Sequence, residues 1–171
     1  MENMKFSTCS SLLVGIAFTI LCYSFSAVEK KVAIVKMPWL DSMLHMQNDT
    51  TYVINFWATW CIPCVAELPS FDSLQKAYRN NKVKVILISL DYVKKREETV
   101  IPFLIKKGIQ SEVVLLNEPN ANAWINKVDP DWSGALPATL LVNNNTSFRH
   151  FLEKELNFEI LDSILKAHIK N

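Results

Sequence analysis

Trp60-Cys61-Ile62-Pro63-Cys64 puts two thiols one helical turn apart, directly after the apolar run Tyr52-Val53-Ile54-Asn55-Phe56-Trp57-Ala58. The chemistry that suits this arrangement is exchange of a disulfide. A buried strand delivers the chain to the edge of a sheet. A helix starting there turns its unpaired N–H groups and the positive end of its dipole toward Cys61. A thiolate in that field is stabilised, which makes a cysteine reactive near neutral pH. Two other readings of the pair are weaker. As a structural staple it closes a loop too short to remove much chain entropy. As a zinc site it lacks ligands: such sites take four, usually from paired clusters, whereas Cys9 and Cys22 fall near the N-terminus and His45, His150 and His168 are scattered. Neither a metal nor a cofactor is expected.

The elements that must hold the thiols are legible on both sides of them. Lys31–Val35 reads as a short first strand, and Pro38–Leu44 as a short helix with proline in its first turn. Asn48-Asp49-Thr50 is a turn leading into the central strand. From Ile62 onward Val65, Leu68, Phe71, Leu74 and Tyr78 recur at helical spacing. Pro69 falls inside this helix and is expected to kink it, because it removes a backbone donor and crowds the preceding turn. Val83–Leu90 is a near-continuous apolar strand buried on both faces. A helix over Ile101–Lys107 follows, with Pro102 early and Gly108 placed to end it. Val113–Leu116 is a brief strand and Pro119–Val128 another short helix. Ala138–Val142 and Ser147–Leu152 form a hairpin across Asn143-Asn144-Asn145-Thr146, a turn composition tolerant of positive φ. Phe158, Leu161, Leu165 and His168 mark one side of a closing helix. Strand–helix units with right-handed crossovers, then a hairpin and a final helix, make an α/β fold: a mixed sheet with helices on both faces, in thioredoxin-like order.

The chain has 171 residues, half of them apolar, with a formal net charge of +1, which suits one compact domain. Lysines and acids are interspersed and no basic stripe emerges, so no nucleic-acid role is expected. Residues 1–27 read as an export signal or an N-terminal membrane anchor. Lys5 supplies the positive start, Leu12 to Leu21 the apolar centre and Ser24-Phe25-Ser26-Ala27 a small-residue exit. The apolar stretch is shorter than the ~20 residues that span a bilayer, which favours cleavage. The folded domain is then 28–171. In it Cys61 and Cys64 are the remaining thiols, in an oxidising compartment where such a pair either donates disulfides or needs an electron supply.

The segment from Phe56 through Cys61 and Cys64 to Glu67 and Pro69 resembles the active-site signature of the TlpA/ResA branch of extracytoplasmic thioredoxin-like proteins. Trp132-Ser133-Gly134-Ala135-Leu136-Pro137-Ala138-Thr139-Leu140 resembles the segment where that family keeps its cis-proline loop. On residues alone, Pro137 could equally be an ordinary trans proline and Glu67 a solvated helix acid. The resemblance implies instead a cis Leu136–Pro137 bond facing the thiols and a partly buried Glu67 that exchanges protons with Cys64. Cytoplasmic-type thioredoxins carry a buried aspartate at the position of Asn55. Asn55 cannot titrate, which leaves Glu67 as the proton carrier.

The function implied is thiol-disulfide oxidoreduction: Cys61 attacks, Cys64 resolves, and Glu67 handles the proton. Trp60, Ile62, Pro63, Trp132, Leu136 and Pro137 are the candidates for contacting a client, which could add a strand at Leu136. The clients implied are exported proteins with disulfides, apocytochromes c among them, and the electron donor a membrane thiol carrier of the DsbD or CcdA type. The chain is expected to act outside the cytoplasm, in a bacterial periplasm, and as a monomer. A disulfide oxidase or isomerase, and a non-catalytic binding module of the same fold, are the competing readings.

Overall fold

The computed structural model describes residues 30–169, and the expected leader, residues 1–27, lies outside them. A six-stranded mixed sheet forms the centre, in the order β1 (Ala33–Val35), β4 (Glu112–Leu116), β3 (Val83–Ser89), β2 (Thr51–Trp57), β5 (Ala138–Asn143), β6 (Phe148–Leu152). The first four of these are parallel, β5 runs antiparallel to β2, and β6 antiparallel to β5, so that β5 alone opposes the rest. Both β2 and β3 are buried along most of their length and largely apolar because each is covered on two sides.

On one side the core joins α2 (Ile62–Ala77), α3 (Ile101–Lys107) and α5 (Phe158–Ile169) through Leu68, Phe71, Leu104, Leu161 and Leu165. On the other side α1 (Met37–Leu44) and α4 (Ile125–Val128) cover Ile54, Phe56, Ile88 and Leu140. This second layer is aromatic. Trp132 packs on Phe56 at 4.7 Å, on Trp124 at 5.4 Å and on Phe151 at 5.9 Å between ring centroids.

Local signals in the sequence set most boundaries. Pro38 stands in the first turn of α1, and Gly108 ends α3 in the left-handed conformation, φ 68°. Asn48 accepts from the Thr50 amide at 2.9 Å, closing the turn before β2. Helix α2 continues through Pro69 to Ala77. Two features differ from expectation. The segment Pro119–Val128 is a 3-10 turn over Ala121–Ala123 followed by the separate α4, broken at Trp124, whose backbone leaves helical geometry as its ring enters the aromatic layer. The positive φ of the β5–β6 hairpin falls on Ser147 and on none of the preceding asparagines, whose side chains take other work: Asn143 accepts from the amides of Asn145 and Thr146.

Candidate active site

Cys61 and Cys64 are joined by a disulfide at the point where β2 gives way to α2. Cys61 is the residue that caps α2: its backbone is extended, and its Sγ accepts from the Cys64 amide at 3.3 Å. The first-turn N–H groups of the helix, unpaired by geometry, thus face this sulfur. The two cysteines differ in access. Cys61 keeps 6% of its surface exposed while Cys64 keeps none. Exposure of the first thiol is narrower than the sequence suggests, because the approach is a cleft of about 430 Å³ lined by Trp60, Cys61, Pro63, Leu90, Gly134, Ala135 and Leu136.

The turn between β2 and α2 is held by Asp91, just past β3. Its carboxylate accepts from the Thr59 amide at 3.0 Å, the Thr59 hydroxyl at 2.6 Å and the Ser89 hydroxyl at 2.8 Å. The Leu90 amide adds a bond to the Trp57 carbonyl at 2.8 Å. The other wall of the cleft is the loop before β5, where Leu136–Pro137 is cis. Glu153 ties that loop down, accepting from the amides of Ser133 and Ala135 at 3.0 Å each and from the Ser133 hydroxyl. These bonds, the Ser133 hydroxyl foremost, hold the Glu153 carboxyl below its ordinary pKa.

Glu67 follows Cys64 by one turn on the buried side of α2 and is only 2% exposed. Its two oxygens are held separately. Oε1 accepts from Asn55 Nδ2 at 2.7 Å, and Oε2 accepts from the Leu156 amide at 2.8 Å. Burial pushes its pKa up from 4.5 to about 7, against the opposing pull of the two hydrogen bonds. A carboxyl so poised can take up or release a proton near neutrality, which is what a partner for a thiol needs.

Of the six candidates for client contact, Trp60, Pro63 and Leu136 line the cleft with Cys61. Trp60 is 67% exposed. Ile62 is exposed but outside the lining, since its place in the first turn of α2 turns it away from the cleft loop. Trp132 and Pro137 stand behind that lining. Trp132 is buried in the aromatic layer and braces the cleft wall through its indole N–H, which donates to the Ala135 carbonyl at 2.9 Å. Pro137 is buried at the head of β5, after the cis bond from Leu136. His45, His150 and His168 stand elsewhere: His45 beside Asp41, His150 on β6, and His168 stacked on Phe148. Asp91 and Glu153 were not readable as site residues, because lone polar residues beside strands carry no distinguishing spacing.

The sequence profile described as the AhpC/TSA family matches residues 40–151. The chain belongs to that family. It is similar to the thioredoxin-like protein YneN of Bacillus subtilis (strain 168), 36% identical over 78 residues, which covers 39% of this chain and 45% of the relative. It is also similar to the thiol-disulfide oxidoreductase ResA of Halalkalibacterium halodurans, 28% identical over 92 residues, covering 54% of this chain and 47% of that one. The chain spans less than half the length of each of these two relatives. Among solved structures, a thioredoxin-related protein from Neisseria meningitidis serogroup B superposes with a TM-score of 0.63 at 23% identity, covering 75% of this chain and 91% of that one. The thioredoxin-like fold and the ResA-like resemblance read from Phe56 to Pro69 therefore stand.

Proposed function

We propose that this protein is a thiol-disulfide oxidoreductase that reduces disulfides in exported proteins. The observation that carries the reading is the asymmetry of the pair: Cys61 meets the cleft at the N-terminus of α2, and Cys64 is sealed one turn before a buried carboxyl. In the reduced protein the Cys61 thiolate attacks one sulfur of a client disulfide. A Cys61–client bond forms, and the client's S–S bond breaks to release one client thiolate. The Cys64 thiol gives its proton to Glu67, and the resulting thiolate attacks Cys61 Sγ, expelling the second client thiolate and closing the Cys61–Cys64 disulfide. The client gains two electrons and the pair loses them.

Trp60, Pro63 and Leu136 form the surface a client segment meets, with the Leu136 backbone offering an added-strand pairing. Apocytochromes c fit the client class because they carry paired cysteines. A membrane thiol carrier of the DsbD or CcdA type is the matching electron donor. Residues 1–27 serve as the export signal or anchor, which puts the chemistry outside the cytoplasm. No helix among the described residues is long and apolar enough to cross a membrane.

The deciding experiment is Cys64→Ala in the native compartment. Clients should accumulate on Cys61 as mixed disulfides, and their identity gives the substrate class. Absence of any adduct on Cys61 sinks the exchange mechanism. A strongly oxidising reduction potential for the pair would convert the assignment to a disulfide donor.

A further inference from the structure

The pocket around Glu67 contains a polar atom that no protein group satisfies. Asn55, in the middle of β2, donates from Nδ2 to Glu67 Oε1 at 2.7 Å and to Thr139 Oγ1 at 3.1 Å, while its Oδ1 is buried without a hydrogen-bond partner. Asn55 and Thr139 face each other across the β2–β5 ladder and neither is exposed, so this is a fixed feature of the sheet. The orientation suits one protonation state only. An ionised carboxylate accepts and never donates, so it calls for the amide's N–H. A protonated Glu67 must donate one O–H. Its Oε2 is already engaged by the Leu156 amide at 2.8 Å, which directs the proton to Oε1, the oxygen that faces Asn55.

We propose that Asn55 is the positioning residue of this site: its carboxamide donates to Glu67 while the carboxylate is ionised, and turns over about its terminal bond to accept from Glu67 when the carboxyl is protonated. Turning places Oδ1 where Nδ2 stands. Oδ1 then accepts from the Glu67 O–H, and from the Thr139 hydroxyl, which reverses from acceptor to donor. The unpaired position moves from an amide oxygen to an amide nitrogen, and turning gives up the long 3.5 Å contact from Nδ2 to the Ala138 carbonyl. An aspartate at 55 would place a second acid against Glu67, and an apolar residue would serve neither state. The proton balance is simple: the S–H bond of Cys64 breaks, the O–H bond of Glu67 forms, and only side-chain rotation accompanies it.

The groups facing Glu67 from each packed element are few. Strands β2 and β5 present the neutral Asn55 and Thr139, α2 presents Cys64, and the stretch before α5 presents Glu155, whose charge raises the Glu67 pKa. This inference rests on the role given to Glu67 above only for the source of the proton.

The test uses the whole chain in its disulfide form, where neither cysteine titrates, so its outcome is separate from whether the protein exchanges disulfides. Glu67 is followed by its carboxyl carbon and Asn55 by its side-chain amide in an NMR pH titration. Both signals should move with one shared midpoint. Asn55→Leu should raise the Glu67 midpoint by about one unit, roughly tenfold in proton affinity, because the bond lost by the ionised form is charge-assisted and stronger than the one lost by the protonated form. Asn55→Asp, which keeps the shape, should replace the single step with two separated ones. An Asn55 amide signal that stays flat while Glu67 titrates in the unmodified chain overturns the proposal. So does an unshifted midpoint in a folded Asn55→Leu, the result a merely structural asparagine would give.

Discussion

Cys61, Cys64 and Glu67 lie on one helix, yet their surroundings divide the work: one sulfur at a cleft, one sealed, one acid in a buried pocket closed by Asn55 and the Leu156 amide. The acid makes a prediction about stability. Folding raises the Glu67 pKa from 4.5 to about 7, so the native state holds a proton that the unfolded chain has released between those values. Stability is then greatest below about pH 4.5 as far as this group is concerned, and is lost as pH rises through about 7. The shift corresponds to a loss of about 3 kcal/mol. Urea unfolding of the disulfide form across that range should show the decline, and Glu67→Gln should flatten it. A slope unchanged in the variant would mean that another group titrates there. Trp60 supports a second expectation. Being exposed beside Cys61, it should tolerate Trp60→Ala with little change in stability, while reduction of a protein disulfide slows about tenfold and that of a small-molecule disulfide does not.

At the scale of elements, the two loops forming the cleft are each fastened by a single acid from outside the motif. Asp91 holds the β2–α2 turn through Thr59, and Glu153 holds the loop before β5 through Ser133 and Ala135. Asp91 is buried, so Asp91→Ala strands the Thr59 amide and should cost about 2 kcal/mol in urea unfolding. Glu153 is partly solvated, so Glu153→Ala should cost about 1 kcal/mol or less. Both should slow exchange by letting the walls drift. Equal and negligible costs would show that the loops are held by packing alone. Helix α2 bears on what the sequence could tell. Its start and buried side were legible, as was the Gly108 stop of α3, because proline, glycine and apolar spacing act over a few residues. That Glu67 turns inward was legible only from the family resemblance, since a lone glutamate ordinarily faces water. Asp91 and Glu153 were illegible because their partners come from distant segments, and the burial of Trp132 was illegible because adjacency to a motif does not reveal which side of the sheet an aromatic ring enters.

For the molecule as a whole, the sheet divides the interior into an α2–α3–α5 layer and an α1–α4 aromatic layer, and the site sits where both reach the ends of β2 and β5. The thiols hang on the first layer through Leu68 and Phe71. The cis-proline loop hangs on the second through Trp132, and Leu136 touches both. If the sheet insulates the layers, small packing losses on opposite faces should add. Ile109→Val lies in the first layer and Ile54→Val in the second, and neither residue belongs to the other's cluster. Each should cost about 1 kcal/mol, and the double variant about 2 kcal/mol, additive to within about 0.5 kcal/mol. The pair Asn55→Leu and Glu67→Gln, joined by a direct hydrogen bond, should depart from additivity well beyond that margin. Equilibrium unfolding of the singles and doubles measures both. Strong coupling between the two isoleucines would mean that strain passes through the sheet, and the cleft's two walls would then move together instead of independently.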